Sequence, residues 1–297
     1  MTAASLPIPR PSVLSVFLDL TKFKISVAST FTAAMGYIAY RRGVDLALLT
    51  ALIGTLLLAM ASSVLNEIQE RKLDALMERT RHRPIPSGIV SPVAAMLLML
   101  FLALAGFTIL RLFHGWLPTA LGLLAMVWYN GFYTPLKRRS AFAVVPGSVI
   151  GALPPAIGWT AAGGSLGDPA LAVLCFVFFV WQVPHFWLLS LLHAEGYEQA
   201  GFPTLTRLFS VPQILRLTFT WTCGTVAIGA LLPIFGATRG WTAMGLLAAA
   251  SIWLVFRFRI LLHPESSPAT IRKAFMQINV YALTIMVAVV VDAMGMK

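Results

Sequence analysis

The sequence predicts an all-α integral membrane protein with about nine transmembrane helices, its N-terminus cytoplasmic and its C-terminus outside. The first observation behind this fold class is composition. The mean hydropathy is +0.82, and 58% of the residues are hydrophobic while 11% are charged. Soluble domains carry charge on roughly a quarter of their residues. The second observation is that apolar stretches recur along the chain, each long enough to cross a ~30 Å hydrocarbon layer as a helix.

The predicted spans leave no room for a separate soluble domain, so residues 1–297 are interpreted as one membrane domain. Residues 1–24 form a cytoplasmic lead-in, because Asp19 and Lys22 interrupt its short apolar patch and no small-residue cleavage site follows. In chain order, the expected spans lie near 25–40, 46–65, 90–112, 117–134, 141–163, 169–192, 214–236, 241–262 and 274–294.

The basic residues set the orientation, since Lys and Arg concentrate in cytoplasmic loops. With the N-terminus inside, the opposite side keeps a minority of the 22 Lys and Arg residues. These are Arg41, Arg42, Arg111, Arg239 and Lys297. The formal net charge of +11 is therefore interpreted mainly as a topology signal, and no separate basic domain points to nucleic acid. A multi-pass protein of the bacterial inner (plasma) membrane is the simplest assignment.

The most informative segment is 66–88, where a densely charged stretch follows a long apolar run. The chain has only 11 acidic residues, yet several fall in this segment. Asn66, Glu70 and Asp74 are spaced four residues apart, so they stack on one face if the preceding helix continues. Such a row suits a Mg²⁺ ion that carries a phosphate or diphosphate, because Mg²⁺ is usually held by one or two carboxylates plus substrate oxygens.

Basic side chains accompany this row. Glu67 and Arg71 lie beside it, and Arg79, Arg81 and Arg83 follow. Guanidinium groups suit bidentate contacts with the free oxygens of an anion. The alternative is a solvated cytoplasmic loop whose charges only set the membrane orientation. A second acidic cluster favours the first interpretation.

That second cluster lies in 181–205. Glu195 and Glu198 are three residues apart, hence adjacent on a helix, at the cytoplasmic end of the sixth predicted span. Taken alone, they fit ordinary solvated side chains. Paired with the first cluster across a bundle, they are candidates to hold a second Mg²⁺ on the same diphosphate.

His185 lies inside the sixth span, after Pro184 and among Trp181, Phe186 and Trp187. A lone membrane histidine is frequently a hydrogen-bonded packing residue. The functional alternatives are a contact to haem or a polar group that orients an acceptor. Pro184 disturbs the backbone hydrogen bonds and predicts a kink, as a cavity wall requires.

A third cluster, 129–140, lies where the fourth span leaves the membrane. Lys137 and Arg138 are candidates for contacts with phosphate oxygens, and Tyr133 offers a phenolic hydrogen bond. The alternative is a positive-inside anchor with interfacial tyrosines. Prolines and glycines in 146–159 then predict a broken or closely packed helix that lines a cavity or is buried in protein.

The distribution of charge bears on the function class. Charged groups gather at helix ends on one side, and the span interiors hold few ionisable residues. A transporter or channel more often buries such groups near the bilayer midplane. The pattern favours a cavity that opens to the cytoplasmic interface and continues as an apolar pocket. It suits a substrate with an anionic head and a hydrocarbon tail.

These motifs together resemble the UbiA-type intramembrane prenyltransferases, and more narrowly their haem branch. The resemblance covers nearly the whole chain, from LTKFKI at Leu20 to the last span. The first motif of the superfamily, an Asn followed by Asp residues at four-residue spacing, is matched by Asn66, Glu70 and Asp74. The sequences MERTRHRPIPSG, GALPPAIGW and WQVPHFW point to the haem branch.

The resemblance implies nine helices around a central cavity, with Mg²⁺ and farnesyl diphosphate near its cytoplasmic mouth. It implies transfer of the farnesyl group to a vinyl group of haem B with water addition, giving haem O and diphosphate. The expected catalytic residues are Asn66, Glu70, Asp74 and Lys137. The expected diphosphate contacts are Arg71, Arg79, Arg83, Tyr133 and Arg138. The expected haem contacts are Trp181, His185 and Phe186, and the expected metal ligands are Glu70, Asp74, Glu195 and Glu198.

Two positions depart from the family's pattern. Family members usually have Asp where this chain has Glu70, and an acidic residue where it has Gly196. Glu is one methylene longer than Asp, and Mg²⁺ tolerates poor octahedral geometry badly, so the departures bear on metal affinity and substrate preference. Glu198 is the expected substitute for the missing acid.

Two other function classes stay open on the sequence. One is a prenyltransferase of the same fold that acts on an aromatic acceptor such as a quinone precursor. The other is a non-catalytic protein that binds or transports haem or isoprenoids. The sequence also leaves open an oligomer and the docking of cytochrome oxidase assembly partners.

Overall fold

The computed structural model describes residues 11–263 and 267–295. Over these ranges the regular structure is all helical, without strands, as the composition predicts. Residues 1–10 of the expected lead-in and Lys297, expected on the outer side, lie outside the described residues. In chain order the α-helices are α1 Val13–Leu20, α2 Phe23–Arg41, α3 Leu46–Asp74, α4 Pro92–His114, α5 Trp116–Val127, α6 Thr134–Leu136, α7 Val144–Gly147, α8 Val149–Ala161, α9 Pro169–Leu192, α10 Ala194–Gln199, α11 Val211–Gly229, α12 Leu231–Ile234, α13 Trp241–Phe258 and α14 Pro268–Gly295.

Seven helical stretches of the described chain are long and apolar enough to cross a membrane. They are Leu46–Asp74, Pro92–His114, Val144–Ala161, Pro169–Leu192, Val211–Ile234, Trp241–Leu262 and Pro268–Gly295. They coincide with seven of the expected spans, and the other two, 25–40 and 117–134, coincide with α2 and α5. Serine and threonine hydroxyls dilute the apolar character of α2. The α5 helix has only 12 residues because its winding changes at Trp128.

This change of winding is a π-helix from Trp128 to Tyr133, which then runs into α6. Single π-helical turns inside α-helices are frequently found at functional sites. The buried Asn130 of this turn donates Nδ2 to the carbonyl oxygen of Ser62 on α3, at 3.0 Å. The π-helical turn is therefore joined to α3.

Side-chain caps set where several long helices begin. The carboxylate of Asp45 accepts a hydrogen bond from the backbone N–H three residues later at 3.0 Å, and the Ser91 hydroxyl does the same at 3.1 Å. These caps satisfy backbone donors that have no partner within the helix. Pro92 and Pro169 occupy the first positions of α4 and α9, where the missing backbone N–H is tolerated.

Small residues allow α2 and α8 to approach closely. A Cβ atom on Gly36 would lie 2.1 Å from the carbonyl oxygen of Pro155, and one on Gly158 would lie 1.8 Å from that of Ala33. Such contacts are a common way for helices to associate in membranes, where burial of apolar surface gives little driving force. The predicted interruption of this span is present, because α7 and α8 are separated at Ser148. The largest apolar cluster packs α8 and α9 with α11, α13 and α14.

A buried carboxylate closes the end of the bundle at which α3 begins, called here the distal end. Asp292 in the last turns of α14 accepts hydrogen bonds from the backbone N–H of Arg239, at 3.0 Å, and of Gly240. Arg42 Nη1 lies 3.7 Å from the same carboxylate. We call these contacts the Asp292 clasp. It joins the end of α2, the start of α13 and the end of α14.

Candidate active site

The predicted row of polar side chains lies on the last turns of α3, away from the distal end, and it is buried. The relative exposures of Asn66, Glu67, Glu70 and Asp74 are 1%, 0%, 4% and 2%. The helix continues unbroken to Asp74, and Asn66 Nδ2 donates to Glu70 Oε2 at 3.1 Å. Carboxylates are almost never fully buried unless they are paired. These side chains therefore do not form the solvated loop that the sequence left open.

Two basic side chains from other segments pair with the row. Lys137 Nζ lies 2.7 Å from Glu70 Oε2, and Arg83 Nη1 lies 2.8 Å from Asp74 Oδ2. Arg83 Nε also lies 3.8 Å from Glu67 Oε1. Each cation has more N–H groups than its carboxylate uses. The remaining donors are available to an anion that binds beside the row.

A third cation at the row is Lys22, which the sequence did not mark as a candidate. Its Nζ donates to Asn66 Oδ1 at 2.6 Å. Desolvation of the ammonium and the charge of Arg83 lower the pKa of Lys22 to about 8. The backbone of Lys22 is in the left-handed region, with φ 44°, which residues other than glycine rarely adopt. Strained residues of this kind cluster at functional sites.

Polar contacts also tie the third cluster to α3. Asn66 Nδ2 donates to Thr134 Oγ1 at 3.1 Å, and Gln69 Nε2 donates to the Asn130 carbonyl at 3.1 Å. Arg138 Nη2 donates to the Gln69 carbonyl at 2.7 Å. The π-helical turn and α6 are thereby held against the row. This placement explains how Lys137 reaches Glu70, although the two residues are 67 positions apart in the sequence.

Not all of the arginines that the sequence predicts as diphosphate contacts lie at the row. Arg83 reaches it, while Arg71 and Arg138 bind backbone carbonyls of α3 at its edge. Arg79 is exposed on the following loop. Arg81 is exposed as well and pairs with a neighbouring exposed carboxylate at 3.8 Å.

The second acidic cluster lies apart from the row. Glu195 is exposed on α10. Glu198 accepts hydrogen bonds from the hydroxyls of Thr204, at 2.9 Å, and Thr206, and the Thr206 bond is the main reason that the pKa of Glu198 lies below its usual value. Among the described contacts, neither carboxylate reaches the row. A Cβ atom at Gly196 would meet nothing within 4 Å.

The loops that carry the two clusters nevertheless pack on each other. Met77, Ala200 and Phe202 form a buried apolar cluster, against which Leu73 and Tyr197 pack. A cavity of about 350 Å³ lies at this junction. Apolar side chains therefore bring the second cluster close to the site, while its two carboxylates make no described contact with the row.

Aromatic rings lie next to the paired lysine. The ring centroid of Tyr133 is 5.8 Å from that of Tyr129 and 6.2 Å from that of Phe186. Lys137 Nζ lies 5.6 Å from the Tyr133 centroid and 5.9 Å from that of Phe202. Tyr133 thus contributes the face of its ring to this arrangement. Its expected phenolic hydrogen bond to a diphosphate stays a prediction.

The three expected haem contacts are together on α9. The His185 ring lies 4.8 Å from Trp181 and 5.3 Å from Phe186, centroid to centroid. Phe275 of α14, a neighbour that the sequence did not reveal, lies 4.8 Å from His185. Trp181 Nε1 donates to the Ile278 carbonyl at 2.9 Å, which fixes its ring. Within the described part of the chain, His185 Nδ1 is buried without a hydrogen-bond partner.

Several carboxylate oxygens of the row lack hydrogen-bond donors, which suits a hard metal ion. The described residues contain no group of three or more His, Cys, Asp or Glu side chains arranged to hold a metal. Yet both carboxylate oxygens of Glu67 and Oε1 of Glu70 are buried without a hydrogen-bond donor among the described residues. Buried acceptors of this kind need an explanation, and carboxylate oxygens are the ligands that Mg²⁺ prefers. Glu67 and Glu70 thus suit an ion that takes its other ligands from substrate and water.

Sequence comparisons agree on one family. Residues 27–281 match the UbiA prenyltransferase family. A protein of Geobacter sulfurreducens named protoheme IX farnesyltransferase is 42% identical over 226 residues, which are 73% of this chain and 81% of that protein. A protein of Gloeobacter violaceus with the same name is 34% identical over 298 residues, 99% of this chain and 97% of that protein.

Solved structures share the fold at low sequence identity. A digeranylgeranylglyceryl phosphate synthase superposes with a TM-score of 0.77 at 17% identity, covering 95% of this chain and 99% of that one. A UbiA homologue from Archaeoglobus fulgidus bound to GPP and Mg²⁺ superposes with a TM-score of 0.67 at 16% identity, covering 93% and 99%.

The match to the family model places this chain in the class of intramembrane prenyltransferases, and the solved structures share its fold. It belongs to the UbiA prenyltransferase family. Within that family, it groups with the proteins named protoheme IX farnesyltransferase.

Proposed function

We propose that this protein transfers the farnesyl group of farnesyl diphosphate to a vinyl group of haem B, with addition of water, giving haem O and diphosphate. The relatives named protoheme IX farnesyltransferase support this assignment at up to 42% identity. The observation that carries it is the α3 row, which is buried, surrounded by cations and adjacent to aromatic rings. An anionic head group fits the cations, and an apolar tail fits the rings.

Three cations bind the diphosphate in this proposal. Lys22, Arg83 and Lys137 converge on the row from three segments. They would neutralise negative charge that grows on the leaving oxygen as the bond breaks, and such stabilisation is usually a large term in catalysis. Tyr133 is a further diphosphate contact in this proposal. Arg71, Arg79 and Arg138 would join it only if their side chains turned from their present positions toward the row.

Mg²⁺ is the proposed metal, as in the Archaeoglobus fulgidus homologue bound to GPP and Mg²⁺. Asn66, Glu70 and Asp74 would hold it together with Glu67. When bound, Mg²⁺ supplies positive charge to the diphosphate oxygens. Glu195 and Glu198 would reach a second metal only if the loop after α9 moved toward the row.

The allylic C1–O bond of the prenyl substrate breaks, and its electron pair leaves with the diphosphate. The π electrons of the haem vinyl group form the new C–C bond to C1. Water adds to the resulting cation on the vinyl carbon and loses a proton. The rings of Tyr133 and Phe186 lie beside the site and stabilise cationic character by cation–π contact while they exclude stray water.

The haem acceptor would bind on the α9 face that carries Trp181, His185 and Phe186. These side chains are aromatic, partly exposed and continuous with Tyr133. Phe275 extends the same face onto α14. The imidazole of His185, on this face, would then orient the porphyrin.

We also propose nine membrane crossings, a cytoplasmic N-terminus and a site that faces the cytoplasm of the inner membrane. The α2 helix runs from Lys22 at the row to Arg42 at the Asp292 clasp, so it spans the full bundle. After α4, the side chain of His114 contacts Thr50 near the start of α3 at 2.9 Å. The chain then returns through α5 to Lys137 at the row. These contacts support a crossing by α2, which is polar, and a crossing by α5, which is short.

The test is to incubate detergent-purified protein with haem B, farnesyl diphosphate and Mg²⁺, and to look for the farnesyl-plus-water adduct of haem by mass spectrometry. We expect the adduct, and we expect it to disappear with EDTA. Asp74→Asn should lower its yield strongly, while Glu78→Gln, which changes an 88% exposed acid outside the row, should not. Turnover of hydroxybenzoate in place of haem would favour a quinone-type acceptor. Binding of both substrates without pyrophosphate release would contradict an enzymatic role.

A further inference from the structure

A basic groove lies apart from the α3 row, between the end of α13 and the start of α14. Its volume is about 590 Å³, and its lining includes three cations, Arg257, Arg259 and Lys273. The Asp292 clasp joins the start of α13 to the end of α14, so the groove lies at the opposite end of these helices. In the proposed orientation it faces the cytoplasmic leaflet.

The groove is organised for an anion. No Asp or Glu is among its described lining residues, and in the described chain none of the three cations forms an ion pair with a carboxylate. Gln277 is only 9% exposed. With its amide assigned so that the oxygen faces Arg257, this oxygen accepts hydrogen bonds from Nε at 2.9 Å and from Nη2 at 3.2 Å. This amide holds the guanidinium in place without neutralising it. Thr270 adds a neutral hydroxyl donor to the wall.

The outer wall of the groove is apolar, and in the proposed orientation it borders the bilayer. Phe256 is 66% and Ile260 48% exposed, and both line the groove. The guanidinium of Arg259 lies 6.0 Å from the Phe256 ring centroid. A ligand here meets cations at one end and lipid-facing hydrocarbon surface at the other. This is the arrangement that an amphiphile with an anionic head requires.

We propose that this groove binds the phosphate head group of an anionic membrane lipid. Basic pockets between transmembrane helices on the cytoplasmic side bind such head groups. A generic excess of positive charge would not need a buried amide to orient one of the arginines. The inference is independent of the prenyl transfer proposed above, since the groove shares no residue with the α3 row.

Native mass spectrometry of the detergent-purified full chain tests this proposal. Dioleoylphosphatidylglycerol and dioleoylphosphatidylcholine are titrated separately, each with and without inorganic phosphate. The test variant is Arg259→Gln/Lys273→Gln, which changes two exposed cations and leaves the Arg257–Gln277 contact in place. The control is Lys24→Gln/Arg139→Gln, which removes the same charge from exposed positions outside the groove.

We expect one phosphatidylglycerol molecule to bind in preference to phosphatidylcholine. The groove variant should weaken this binding on the order of tenfold, and the control should not. Equal phosphatidylglycerol affinity in the groove variant and the wild type would overturn the proposal. So would an equal loss in the control, which would indicate a diffuse charge effect. Displacement of the lipid by inorganic phosphate at equal concentration would assign the groove to free phosphate instead.

Discussion

At the scale of single residues, the site depends on buried carboxylates that are paired with cations from distant segments. Removing one partner of such a pair leaves an uncompensated charge, whereas removing both does not. The pair of Glu70 and Lys137 offers a clear case, because their side chains are 5% and 22% exposed. A double substitution can therefore separate the structural role of the pair from its proposed chemical role.

We expect Lys137→Gln to lower kcat/KM for farnesyl diphosphate about 100- to 1,000-fold and the free energy of unfolding by roughly 3 kcal/mol. Glu70→Gln/Lys137→Gln should recover most of the stability but none of the activity. Arg139→Gln, an exposed neighbour, is the control. Steady-state kinetics and thermal unfolding in detergent measure the two effects. Recovery of activity in the double variant would contradict a role for Lys137 in diphosphate binding.

Lys22 gives a second test, because its backbone conformation and its side chain can be changed separately. Asn tolerates the left-handed region better than most residues, so Lys22→Asn should fold normally. It loses the ammonium, so we expect kcat/KM for farnesyl diphosphate to fall about 10- to 100-fold, as for a lost charge-assisted hydrogen bond. Lys24→Asn, two residues further on and exposed, should leave the kinetics unchanged. A normal kinetic profile in Lys22→Asn would remove Lys22 from the site.

The residues of the site differ in how far the sequence predicts them. Asn66, Glu70 and Asp74 are predictable because helical spacing alone stacks them. Lys22 is 44 positions from Asn66, and no local spacing encodes that contact. Its left-handed backbone, visible only in the structure, is the signal that marks it. The hydroxyls that bind Glu198 come from the turn after α10, which a helical spacing argument does not include.

At the scale of elements, the α2–α8 crossing is the contact with least tolerance for added atoms. A Cβ at Gly158 would lie 1.8 Å from the Ala33 carbonyl oxygen, and backbone cannot yield as a flexible side chain does. We expect Gly158→Ala to lower stability by about 1–3 kcal/mol or more, measured as a fall in the thermal midpoint in detergent. Gly245→Ala on α13, where a Cβ meets nothing within 4 Å, should leave the midpoint equal or higher. Equal midpoints for both variants would show that the helices can separate without cost.

Hydropathy predicts most elements well, and its failures have local causes. The expected fourth span ends near residue 134 by composition, but the structure divides it into α5, a π-helical turn and α6. The polar contacts of Asn130 with α3 are a tertiary effect that no windowed average includes. Pro154 and Pro155 lie inside α8 without ending it, because close packing on α2 stabilises a helix that propensity disfavours.

At the scale of the whole molecule, the proposed topology makes a prediction about which loops face outward. In a background without Cys175 and Cys223, single cysteines replace exposed residues, and an impermeant maleimide is applied to cells. We expect labelling of intact cells at Val44→Cys and Gly167→Cys. Arg139→Cys and Gln199→Cys should react only after permeabilisation. Labelling of the Arg139 position in intact cells would exclude a crossing by α5, and with it the nine-span topology.

The Asp292 clasp has a consequence for biosynthesis. Ribosomes deliver the chain from its N-terminus, so the segments that carry Arg42 and Arg239 are inserted before the residue that joins them exists. Until α14 is in place, a partly buried guanidinium and two backbone amides lack their acceptor, and such groups are costly away from water. Completion of the clasp is therefore coupled to insertion of the last helix. In a nascent chain that stalls before α14, Arg42 and the backbone amides of Arg239 and Gly240 still lack the carboxylate of Asp292, and this difference marks an unfinished chain at the distal end.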